Sequence, residues 1–239
     1  MRRLASLLTR PVEPFVLLES GIEIVPRISP RARRVTLKVD PAEGCVELVM
    51  PPRASLRSAR SFAERHEGWI RQRLASLPPR VSFADGAIIP LRDKPTTIRH
   101  LPAMRGTAWL EDGQLCVAGA EPHLARRVRD FLIAEARQTL GERVRHLALR
   151  IDARVGRISI RDQRTRWGSC SPDGRMTFSW RLVLAPPGVL DYVVAHEVAH
   201  LVHLHHGPRF WRLVERLMPE MRHWRGWLRR NGGRLLRYG

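Results

Sequence analysis

His196-Glu197-Val198-Ala199-His200 is the stretch of this 239-residue chain whose residue types and spacing could do chemistry most directly. On a helix, residues four apart stand one above the other on the same face. Two imidazoles held that way can both reach one zinc ion, at about 2.0–2.1 Å. Glu197 lies beside them and need not ligate. A carboxylate there can take a proton from the water that the metal activates and pass it to the leaving group. The neighbours predict a buried helix, since Leu190, Val193, Val194, Ala195, Val198, Ala199 and Leu201 are all apolar. A buried helix carrying His, Glu and His needs something to satisfy their polar atoms, and a metal does so.

Catalytic zinc sites use three protein ligands plus a water, so a third ligand is required. His203, His205, His206, Glu215 and Glu220 are the near candidates. His203 shares the face of His196 but would stand about 10 Å up a continuous helix, too far to meet the same ion. His206 would be about 15 Å from His196 on an unbroken helix. It ligates only if the chain turns back after His200. Metzincins have the same spacing, with Gly at the turn where this chain has His203. A left-handed His205 would supply the turn here, because His is among the non-Gly residues enriched in that region. His206 is the third ligand expected on this reading. Glu215 either orients a ligand His from behind or is a solvated helix-face carboxylate. Tyr192, one turn before His196, is read as core.

The elements that must position these residues follow from pattern. Two β-type runs, 33–39 and 45–50, flank a turn-forming Asp40-Pro41-Ala42-Glu43-Gly44 and predict a hairpin. Leu56, Ala59, Phe62, Ala63, Trp69, Ile70 and Leu74 predict one amphipathic helix over 55–77, with Ser55 as N-cap. Residues 81–119 read as short strands with turns at Asp85-Gly86 and Asp112-Gly113. Apolar positions from Leu124 to Leu147 predict a long helix over 121–149. Strands are expected over 157–160 and 176–184. Pro186-Pro187-Gly188 opens a helix from about 189 to 204, another runs from about 208 to 218, and a Trp-rich basic segment follows.

Composition sets the outer bounds. The chain is long enough for a real core, and its 44% hydrophobic content argues against wholesale disorder. The net charge is +19, and all but Lys38 and Lys94 of the 42 basic residues are Arg. Such a chain attracts polyanions, so nonspecific nucleic acid binding is a possible partner mode. Cys45, Cys116 and Cys170 form no disulfide framework, which fits a reducing, cytoplasmic setting. No apolar run reaches the length of a membrane span, and residues 1–26 read as a Pro-punctuated tail without a secretory signal. No Walker-type loop, acidic Mg²⁺ cluster or DNA-binding module is visible.

The segments Arg164–Cys170 (RTRWGSC), Ser179–Leu184 and 191–211 (DYVVAHEVAHLVHLHHGPRFW) together resemble the YgjP-like metal-dependent hydrolase family, which is related to SprT-like zinc proteases. The resemblance runs from about Ile24 to Leu235 and is most specific over 163–211. The family pattern is RWGSC, then HExxH, then N-H-S-x-x-F-W. Here it falls on Arg166 to Cys170, then His196, Glu197 and His200, then His206, Phe210 and Trp211, with His205 and Gly207 replacing the Asn and Ser. The resemblance implies an α+β fold: a tail (1–26), a β-rich N-terminal part (27–119) and a zincin-like part (120–239) with an HExxH active-site helix. It implies a Zn²⁺ hydrolase with His196, His200 and His206 as ligands and Glu197 as base, acting on a peptide or protein. A nucleotide pyrophosphatase acting on UTP and a nucleic-acid-associated SprT-like protease are the alternatives. RTRWGSCS could form a strand beside the metal helix whose edge pairs with an extended substrate. Arg166 either binds an oxyanion or phosphate there or serves packing. Trp167 and Cys170 are read as packing, with Gly168 permitting close backbone approach.

Overall fold

The computed structural model of the protein describes residues 13–17 and 19–239. The first twelve residues of the expected tail, and residue 18, lie outside the described residues. The chain forms two compact units, one ending at Pro79 and one running from Arg80 to Gly239.

Among the described residues, the first unit has a four-stranded sheet and two helices. Strands β1 (Phe15–Val16), β2 (Glu23–Ile28), β3 (Thr36–Asp40) and β4 (Cys45–Met50) lie in the order β1-β2-β4-β3. The expected hairpin is β3–β4, antiparallel, with Asp40 opposite Cys45. Its turn is held by the Ala42 amide donating to Asp40 Oδ1 at 2.8 Å and by Gly44 at φ 71°. The single helix expected over 55–77 is two helices, α1 (Leu56–Arg65) and α2 (Glu67–Ala75). Ser55 caps the first by accepting from the Ser58 amide at 3.1 Å. The break is at His66, whose ring Nδ1 takes the Phe62 carbonyl at 2.8 Å. In a continuous helix the His66 amide would bond that carbonyl; it bonds Ala63 instead, closing a tighter turn. Leu17, Ile24, Val46, Leu48, Ala59, Ala63 and Ile70 form the core of this unit.

The second unit begins with strands β5 (Ile88–Leu91), β6 (Lys94–Leu101), β7 (Ala108–Glu111) and β8 (Gln114–Ala118), in the order β5-β6-β8-β7. Helix α3 (Leu124–Leu149) follows a short 3₁₀ turn and buries Val128, Leu132, Ala136, Leu140 and Val144, a stripe at four-residue spacing. Strands β9 (Ile158–Arg161), β10 (Gly168–Cys170) and β11 (Met176–Ser179) form a small sheet in the order β10-β11-β9, with β9 parallel and β10 antiparallel to β11. The strand expected over 176–184 stops at Ser179; Trp180–Leu184 is a fully buried 3₁₀ segment. A short continuous apolar run does not reveal its own period, which is why the two states look alike in sequence. Three helices complete the unit: α4 (Pro187–Ala199), α5 (Pro208–Leu217) and α6 (Met221–Leu235). The Trp-rich basic segment is thus helix α6, with Trp224 and Trp227 packed on the core and most of its arginines in water. No helix among the described residues is long and apolar enough to cross a membrane. The molecule is a mixed α+β protein, with sheets leading and helices dominating later.

Candidate metal centre

Helix α4 is buried on nearly every side, from Val189 and Leu190 to Val198 and Ala199. Pro187 opens it, and Asp191 ties it to α3 through Arg143 at 3.2 Å. Gly188 lets α6 approach: a Cβ on it would stand 2.1 Å from the Trp224 ring. The helix presents His196 and Glu197 in its last turn, and His200 is its C-cap. The expected continuation to residue 204 does not occur. Instead the amides of Leu201 and Val202 bond back three residues, to Val198 and Ala199, and the chain turns away.

That turn brings His206 back. Its Nε2 lies 3.1 Å from His196 Nε2. One ligand atom from each of His196, His200 and His206 falls within 4.8 Å of the other two, so the three could hold one metal ion. No left-handed residue makes the turn. His205 has no positive φ, contrary to expectation, and Gly207 is extended at φ −78°, ψ −179°. Phe210, from the first turn of α5, sits 4.6–5.0 Å from all three imidazole rings, and Trp211 stacks on His206 at 5.7 Å.

Electrostatics prepare the imidazoles to offer lone pairs. Burial, with His200, His206 and Arg225 adding to it, pushes His196 down to a pKa of about 3, so its ring is neutral. Burial also lowers His200. His200 Nδ1–H donates to the His203 carbonyl at 3.0 Å, which leaves its Nε2 bare. His196 Nδ1 is buried without a hydrogen-bond partner. Three imidazoles converging without an anion among them are a donor set suited to zinc.

Glu197 is buried, and burial raises its carboxyl to about 7 against the pull of Arg166. The residue pressed against it is Gly168 of β10: a Cβ there would stand 2.6 Å from Glu197 Oε1. The strand expected beside the metal helix is therefore β10, which packs on α4 and is the end strand of its sheet. A cavity of about 210 Å³ opens between Trp167, Tyr192, His196, Glu197 and Leu228.

The remaining expected residues are distributed as follows. Arg166 is exposed, two residues before β10, close enough to act on the Glu197 charge. Glu215 pairs with Arg222 at 3.5 Å and stands half exposed. Cys170 has its thiol raised to about 11 by burial first and then by Glu197. Two neighbours were not expected from sequence. Leu228 lines the cavity, and the Arg225 guanidinium lies 4.5 Å from the Trp211 ring centre while acting on His196 and Tyr192. The only signal for either was their place in a Trp- and Arg-rich segment.

A family profile described as YgjP-like, metallopeptidase domain, matches residues 33–231. The chain belongs to that YgjP-like family, which is a metallopeptidase class of hydrolase. No curated protein and no solved structure matches it.

Proposed function

We propose that the protein is a zinc-dependent metallopeptidase in which His196, His200 and His206 hold the ion and Glu197 is the general base. The observation that carries this reading is the convergence of three imidazole nitrogens within 4.8 Å beside a buried carboxyl. A zinc ion bound there supplies Lewis acidity, lowering the pKa of water and polarising a carbonyl. Glu197, with its pKa near 7, is poised to accept a proton at neutral pH and return it to the departing amine nitrogen. The end strand β10 offers backbone groups to an extended peptide, whose side chain enters the cavity between Trp167, Tyr192 and Leu228. Arg166 would steady charge developing on the carbonyl oxygen.

The test pairs two measurements. Elemental analysis of the purified protein is expected to find about one zinc per chain, falling sharply in His206→Ala. Incubation with an unfolded protein is expected to yield fragments, and Glu197→Gln to abolish them while keeping the metal. Pyrophosphate released from UTP in a Glu197-dependent way, with no proteolysis, would overturn the peptidase assignment.

A further inference from the structure

Helix α5 has a second face that the metal centre does not use. Arg209, Arg212 and Arg216 recur at helical spacing and line a cleft of about 520 Å³ together with His203. Its floor is apolar, from Ile151 and Leu213, with half-exposed Val202 beside them. No carboxylate lines this cleft. Arginines elsewhere in this unit do find acids, as in Arg126–Asp130, Arg143–Asp191 and Arg222–Glu215. Among the described residues, the three cleft arginines have no such partner. Glu215, on the same helix, turns away to Arg222. A fourth cation, Arg150, donates to the carbonyls of Arg216 and Leu217 at 3.4 and 3.3 Å, adding positive charge at the far end.

The cleft is linked to the metal centre through one residue. His203 lines its wall, and the His203 carbonyl is the acceptor that orients His200. A chain lying in the cleft therefore passes the loop that carries the third imidazole.

We propose that this cleft binds an acidic, extended polypeptide segment, with carboxylates on the arginines and an apolar side chain on the floor. Naming that segment as part of the substrate rests on the peptidase reading. The spacing suits it. The three arginines advance along the helix in steps of about 4.5 and 6 Å. Same-side residues of an extended chain repeat every 6–7 Å or so, within reach of flexible guanidinium forks. Nucleic acid fits less well, because no Phe, Tyr or Trp lines the cleft to stack a base.

The experiment uses zinc-loaded Glu197→Gln protein, which binds without cutting. Fluorescence anisotropy follows a labelled Asp-Leu-Glu-Leu-Asp-Leu-Glu peptide, its Asn/Gln counterpart, and a thymidine oligonucleotide of equal charge. The acidic peptide is expected to bind best, and Arg209→Ser/Arg212→Ser/Arg216→Ser to weaken it by about tenfold or more. Arg229→Ser/Arg230→Ser removes exposed charge on α6 and is expected to change little. Arg212→Glu alone should weaken binding in the same direction if the triple variant folds poorly. Equal losses in the α6 variant, equal binding of the Asn/Gln peptide, or tighter oligonucleotide binding through the same arginines would each overturn the proposal. Peptide binding with these dependences, but no proteolysis by the wild type, would sink only the peptidase reading.

Discussion

Gly168→Ala is the sharpest perturbation of the centre. Gly168 lies in β10 with ordinary strand backbone, so alanine meets no conformational strain there. Its effect is contact alone. The new methyl would stand 2.6 Å from Glu197 Oε1, 2.7 Å from Cγ and 2.9 Å from Cδ. Ordinary contact begins at 3.4 Å, so strand and carboxylate must separate by about 0.8 Å. Glu197 is buried and cannot swing freely into water. Inserting a methyl into such a site costs about 1–3 kcal/mol of stability. A catalytic group misplaced by about 1 Å costs on the order of a hundredfold in rate. The expected result is a fall of that order in kcat on an unfolded protein substrate, with KM and zinc content near wild type. Gly207→Ala is the control. Gly207 adjoins His206, yet nothing lies within 4 Å of its would-be Cβ, so activity should stay within about twofold. Full activity in Gly168→Ala would refute the claim that this strand positions Glu197.

Glu197 also predicts a pH dependence. Its folded pKa is raised from 4.5 to about 7, so its contribution to the stability of metal-free protein is complete below pH 4.5 and is lost as pH rises through 7, on the order of 3 kcal/mol. His196 is lowered from 6.5 to about 3, so its contribution has the opposite sign, present above 6.5 and lost on acidification. The measurement is therefore the difference in urea midpoint between wild type and Glu197→Gln in chelator, which should shrink steadily from pH 7 to 4.5; a flat difference would count against a buried protonated carboxyl. Gly188→Ala drives a methyl to 2.1 Å from Trp224 and should lower stability by about 1–3 kcal/mol in thermal unfolding, with Trp224→Leu recovering part of the loss. In a Cys45→Ser/Cys116→Ser background, Cys170, raised from 9.0 to about 11, should react with iodoacetamide at pH 8 about a hundredfold more slowly than an unperturbed thiol, and Glu197→Gln should speed it.

The pairing of His196 with His200 was legible because its geometry is local: a spacing of four on one helix decides whether the two share a face. Phe62 and Ile70 were equally clear as helical, but the break between them depends on a His66 ring competing for one carbonyl, which periodicity does not register. The 3₁₀ segment from Trp180 was hidden for a related reason, since every residue in it is buried and no face contrasts with another. The pattern change near residue 120 marks the start of α3, whereas the seam between compact units is at residues 79 and 80, where two prolines close α2. Parallel pairings such as β6 with β8 join segments from either side of β7, and nothing in either segment names its partner. Gly168 could be read as a close approach but not to what. That the approached atom is the Glu197 carboxylate is a tertiary fact.

The loop after His200 bears on how such proteins diverge. The backbone there asks for no left-handed residue, and Gly207 has open space where a side chain would go. The two residues flanking His206 are therefore free to drift while the imidazole stays where it is. Phe210, wedged beneath all three rings, has no such latitude. Distant members of this family are better sought by HExxH followed at fixed distance by a His and then a Phe than by the residues adjoining that His.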